Sequence, residues 1–207
     1  MNPVFFVSED VENGALRSVR PGSTNNNNEW DMLTKEAGGT MREYLVLKNV
    51  SNTFTWTTDI EEARESAAAH YPHSEGLSQR GGILHMTSKT FGTIFALDLD
   101  SKNYTSFQTS DGVLVGDGEF EEKADQLLQI TDHILYMAEN GGPHPGVYGR
   151  DLTTGTHFTV FEGFADTYID DDVTGLAFTP DSKRMYACFE NAGVMLKIQQ
   201  DDGLPFE

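Results

Sequence analysis

Cysteine occurs once in the 207 residues, at Cys188, so the chain forms no internal disulfide and its redox compartment cannot be read from thiol usage. Basic residues are scarce as well: 14 Lys and Arg stand against 33 Asp and Glu, a net charge of −19. That balance argues against nucleic acid and anionic membrane as partners, because a phosphate surface would repel the chain. No apolar run approaches the roughly 18 residues that a membrane helix needs. The N-terminus has neither the basic segment nor the long apolar stretch of a signal peptide, so no localisation is expected from it. What remains is ordinary for a packed protein, with 38% hydrophobic and 11% aromatic residues, and a single domain over 1–207 is expected.

What the sequence does contain is a repeat of short strands. Residues 124–150, ADQLLQITDHILYMAENGGPHPGVYGR, give an acidic residue, a short apolar strand, a turn, a second strand ending in Glu139-Asn140, a Gly-rich bend and a third strand. The same order recurs from Glu75 (SEGL, LHMTSK, TIFALDL), from Asp172 (DVTGL, MYACFE, VMLKI) and, shortened, near the start (FFVSED, ALRSV). Leu77, Leu127 and Leu176 hold one slot, spaced by 50 and 49 residues. A strand-rich repeat of roughly 40–50 residues is the signature of propeller blades. The expected fold is therefore all-β, a partial β-propeller of about four short-stranded blades.

Between the first two blades, residues 59–70 predict one inserted helix. Asp59 is placed to cap it, Glu62 sits at the capping-box position, and Ala63, Ala67, Ala68 and Ala69 favour it until Pro72. Residues 21–40, with four consecutive Asn, read as a flexible polar loop. Residues 111–123 read as an acidic linker. Counting strands from the axis outward, the blades read as three, four, four and three. Such an array leaves sheet edges unpaired, and further blades from a longer chain are expected to complete it.

The start of the innermost strand and the end of its neighbour lie on one face of a propeller. Glu75 and Asp125 stand at the first position, Glu9 and Glu139 at the second, and Asp172 just before the equivalent strand, with Asp10, Asn140 and Glu190 close by. Converging carboxylates repel unless cations or protons neutralise them. Glu9, Glu75, Asp125, Glu139 and Asp172 are therefore the expected metal ligands, and their oxygens suit calcium or magnesium better than zinc. The six histidines, among them His70, His73, His85 and His157, read as structural or solvent-facing, and Cys188 as a buried, inert thiol.

The segments FVSEDVENGALRSV, YPHSEGL with ILHMTSKTFGTIFALDL, ADQLLQITDHILYMAEN and VTGLAFTPDSKRMYACFENAG, in this order, resemble the later part of the PhoX-like alkaline phosphatases. The resemblance implies a propeller with calcium and iron at its mouth that hydrolyses small phosphate esters, with acidic ligands in the segments around Glu9, Glu75, Asp125 and Glu139. This chain departs from that group in two ways. The earlier blades with their cysteine-bearing metal motif have no counterpart, and Asp172-Val173-Thr174-Gly175 stands where relatives show a Glu before a Gly. The expectation is a calcium-binding propeller segment with weak or no phosphomonoesterase activity alone. The alternative is a non-catalytic interaction module that binds a partner or sugar.

Overall fold

The structure, a computed structural model, describes residues 4–21, 40–109, 114–115, 118, 120, 123–142, 144–162 and 171–207. Most of the loop expected over 21–40 lies outside the described residues. The fold is all-β with one helix, and it is a partial β-propeller: four antiparallel sheets of short strands follow one another along the chain. The chain divides into two compact units, Met1–Ser74 and Glu75–Glu207.

The first unit holds the sheet β1 (Phe5–Val7), β2 (Arg17–Arg20), β3 (Met41–Lys48) and β4 (Thr53–Thr57), paired in that order. The sequence predicts three strands here. β4, with its β-branched Thr53, Thr55 and Thr57 alternating with Phe54 and Trp56, is the fourth. The helix α1 (Ile60–His70) begins where expected, with the Asp59 carboxylate accepting the N–H groups of Glu61 and Glu62. Its place in the fold follows from an unfinished ladder. Pairing of β2 with β3 ends at Arg17 and Tyr44, which leaves the last residues of β3 without a strand on that side. Leu16 C=O takes the Leu45 N–H, Ser66 Oγ in α1 takes the Leu47 N–H at 3.0 Å, and the Tyr71 hydroxyl donates to Leu45 C=O at 2.7 Å. The inserted helix thus closes an open sheet edge.

The second unit holds three sheets. β5 (Ser74–Arg80), β6 (Ile83–Ser88), β7 (Thr93–Asp98) and β8 (Tyr104–Gln108) form the first of these. β10 (Lys123–Gln129), β11 (Ile134–Asn140), β12 (Gly146–Asp151) and β13 (His157–Glu162) form the second, and β14 (Val173–Phe178), β15 (Met185–Phe189) and β16 (Val194–Ile198) the third. Inside the expected acidic linker, β9 (Leu114–Val115) adds a short parallel strand to β13. The turns repeat with the strands. Asp98 accepts the N–H groups of Asp100 and Ser101, and Asp151, in the same slot, accepts those of Thr153 and Thr154.

The cores lie between sheets. Ile94 packs with Ala124, Leu127, Leu135, Met137 and Tyr148, and Tyr136, Ala138 and Val147 pack with Val173, Met185, Ala187 and Phe189. Neighbouring inner strands come close. A Cβ placed on Gly76 would meet the carbonyl oxygen of Asp125 at 2.7 Å and the Leu127 nitrogen at 2.8 Å. Only glycine lets β5 and β10 approach this way.

Candidate functional site

Three of the expected carboxylates come together at the strand starts of the second unit. The pairing of β10 with β11 shifts between Ala124 and Gln126, which makes Asp125 the extra residue of a β-bulge. β14 shifts at the same point of the repeat, between Val173 and Gly175, around Thr174. A bulge frees one residue from the ladder and re-aims its side chain. Glu75 holds the corresponding position of β5, one residue before its glycine. In the last blade the slot belongs to Thr174, and Asp172 stands two residues ahead of it.

Lys89, directly after β6, sits among these acids. Its Nζ lies 3.1 Å from Glu75 Oε2 and 3.4 Å from Asp125 Oδ1. Asp125 is buried, with 4% of its surface exposed. Burial raises the Glu75 carboxyl most, a hydrogen bond with Asp125 adds to it, and Lys89 opposes both; the result is a pKa pushed up to about 8. Glu75 therefore keeps its proton at neutral pH. The Asp172 carboxyl is also raised, first by burial and then by the charge of Asp125, with Glu190 and Asp171 adding and Lys89 opposing. Its Oδ1 lies beside Gly141, where φ is +76° and a Cβ would come within 3.4 Å.

Asp171, which the sequence does not single out, supports this arrangement. It is 3% exposed, and its carboxylate accepts the N–H groups of Asn191 at 2.7 Å, Ala192 at 2.9 Å and Asp172 at 2.8 Å. Burial pushes its pKa up, but these three donors more than offset it and hold the carboxyl below its usual range. Asp171 thus ties the turn after β15 to the segment that carries Asp172.

Glu139, at the end of β11, is fully buried beside Tyr148. The Tyr148 phenol is driven far above its usual range by burial, then by the Glu139 charge and by Glu162, which accepts its hydroxyl at 2.8 Å. Glu9 belongs to the first unit, where it forms an ion pair with Arg17. Asp10, its neighbour, is paired with His73 at 2.8 Å. Among the described residues no three His, Cys, Asp or Glu side chains stand together as a ready metal cage. Cys188, expected to be buried, is half-buried on β15 opposite Gly175, whose missing side chain leaves the thiol partly open.

Lys89, Tyr148 and Glu162 are absent from the sequence-derived set. Lys89 was legible in principle. Aligning the blades at the end of their second strand puts it in the slot of Asn140 and Glu190, the one cation in a position otherwise polar or acidic. Tyr148 and Glu162 carry no such signal, because neither stands at the strand starts or second-strand ends from which the acidic set is read.

No protein-family model matches the chain, and no curated protein matches it by sequence. Solved structures do. An extracellular domain from B. thetaiotaomicron, assigned to a hybrid two-component system, superposes with a TM-score of 0.53 at 12% identity, covering 98% of this chain and 27% of that one. A chain of the nidogen/laminin complex gives 0.50 at 12% identity, covering 95% of this chain and 73% of that one. The PQQ-bound aldose sugar dehydrogenase of Streptomyces coelicolor gives 0.46 at 22% identity, covering 63% of this chain and 45% of that one. The chain spans about a quarter of the length of the first of these. At such identities the likeness concerns the fold alone, and the fold it shares with them is that of a β-propeller segment.

Proposed function

We propose that the strand starts carrying Glu75, Asp125 and Asp172 bind a divalent cation, with calcium the best match, in a propeller related to the PhoX-like group. One observation carries this reading: acidic groups crowd a single ammonium. Glu75 and Asp125 share Lys89, and Asp172 feels the charges of Asp125, Glu190 and Asp171 as well. Carboxylate oxygens are the donors that calcium prefers, so the donor type fits. Lys89 stands where the two nearest carboxylates converge, and an arriving cation has to displace it. Glu139 enters this reading as an outlying ligand, while Glu9, in the first unit, stays with Arg17. Iron and the hydrolysis of phosphate monoesters rest on the motif order, with the remaining blades supplied by a longer chain.

The second reading is a non-catalytic propeller that binds a polar partner or sugar at the same end. Lys89 favours it, because the Glu75–Asp125 pair is already partly neutralised without metal.

Titration of the melting temperature with calcium, and then with chelator, tests the first reading. Lys89→Gln removes the competing ammonium and is expected to tighten calcium binding about tenfold, or about 1.4 kcal/mol. Asp125→Asn is expected to abolish it. A melting temperature indifferent to calcium in all three chains removes the cation site. Turnover of a chromogenic phosphomonoester with calcium and iron supplied separates an active phosphatase from a binding module.

A further inference from the structure

At the other ends of these strands, the first sheet of the second unit repeats the next one residue for residue along one face. Ile83 pairs with Asp98, His85 with Ala96, and Ala96 with Thr105. In the following sheet Ile134 pairs with Asp151, Tyr136 with Gly149, and Gly149 with Phe158. The two faces differ in their middle. A Cβ on Gly149 would run into the Phe158 ring, so there a phenyl group lies over a glycine. Ala96 and Thr105 take the place of that pair in the earlier sheet, and a cavity of about 480 Å³ opens against β10 and β12. That volume lies in the range of small-ligand pockets.

The cavity contains polar groups that the fold does not use. His85 is 3% exposed, and burial drives its pKa down to about 4, so its imidazole is neutral at physiological pH. Gln129 is its polar neighbour and opposes that shift in part. His85 Nδ1 and Gln129 Oε1 are both buried without a hydrogen-bond partner. Leaving such atoms unpaired in a buried site is unfavourable, and a ligand that pairs them removes that penalty. Arg150 brings a positive charge, with its guanidinium 3.8 Å above the Phe107 ring and Nη1 3.2 Å from His157 Nε2. Asp98 also lines the cavity, with its Oδ1 accepting the N–H groups of its own turn.

The next sheet shows which groups gather at such a groove. There the chain's own residues Leu204 to Glu207 line it. Phe206 packs edge-on against Tyr136 and Phe178, at 6.3 and 5.4 Å between ring centroids. The hydroxyl of Tyr136, which stands in the slot of His85, donates to the main-chain oxygen of Glu207 at 2.8 Å. An aromatic ring with an oxygen acceptor beside it therefore lines the equivalent groove, which keeps a cavity of about 380 Å³ beside Phe158.

We infer that the cavity lined by His85, Ala96, Thr105, Gln129 and Arg150 binds a small aromatic carboxylate that also carries an N–H donor. The ring takes the space that Phe158 fills in the next sheet, the carboxylate meets Arg150 and the imidazole N–H, and the N–H donates to Gln129 Oε1. An N-acylated aromatic amino acid has this chemistry.

N-acetyl-4-fluorophenylalanine, observed by ¹⁹F NMR on the full chain, is the probe. Saturable binding is expected, about tenfold weaker for Arg150→Gln and for the probe's neutral carboxamide. The double variant Ala96→Gly with Thr105→Phe, which rebuilds the glycine–phenyl pair of the next sheet, is expected to abolish it. Lys183→Gln is expected to bind as the parent does, because Lys183 is exposed in the turn between β14 and β15 and lines neither site. Absence of saturable binding to the parent chain overturns the assignment, as does equal binding of acid and carboxamide. Should the double variant fail to fold, the Arg150→Gln comparison decides alone.

Discussion

Glu75 and Lys89 show how one buried position acquires chemistry. A carboxyl that titrates near 4.5 when free is pushed to about 8 in the fold, so the folded chain holds a proton that the unfolded chain gives up between those values. The resulting stabilisation is complete below about pH 4.5 and is lost as pH rises through about 8. Melting temperature is therefore expected to fall with pH across this window more steeply in the parent than in Glu75→Gln, which has no proton to lose. Parallel curves would mean that Glu75 is ionised in the fold. The acidic identity of the site was legible in the sequence, because periodicity alone put Glu75 and Asp125 at one strand position. The repeat marks the slot of Lys89 but not its pairing, since charge pairing depends on side-chain reach across two strands, and the repeat says nothing about reach.

At the scale of the element, bulges and glycines do the positioning. The bulge at Asp125 turns a ladder residue into a site residue, and its counterpart at Thr174 marks this as a feature of the blade. Gly76 is its complement, since any side chain there strikes the backbone of β10. Gly76→Ala is expected to cost about 1–3 kcal/mol in denaturant unfolding, the range for forced overpacking. A variant as stable as the parent would show that β5 and β10 do not meet at Gly76. The helix was legible from its cap and its alanines. β4 and β9 were not: both are short, and a two- to five-residue strand earns its place through a neighbour rather than through its own pattern.

At the scale of the whole molecule, a net charge of −19 acts on every part of the chain at once. Like charges repel more when the chain is compact, and salt shortens the range of that repulsion from about 30 Å at 0.01 M to about 8 Å at 0.15 M. The melting temperature is thus expected to rise over that interval of sodium chloride, by scanning calorimetry in a chelator-containing buffer. A flat or falling response would mean that specific ion pairs, such as Lys89 with Asp125, outweigh the general repulsion.

The sequence by itself determined the sheet-forming repeat, the inserted helix and the acidic character of the strand starts, because periodicity, capping and composition are local properties of the chain. Tertiary structure alone decided which acids meet. It put a lysine between Glu75 and Asp125, buried Glu139 beside Tyr148, and opened a cavity where Ala96 and Thr105 replace a glycine and a phenyl ring. Each of these is set by distances between residues far apart in the chain, and those distances exist only once the sheets are stacked.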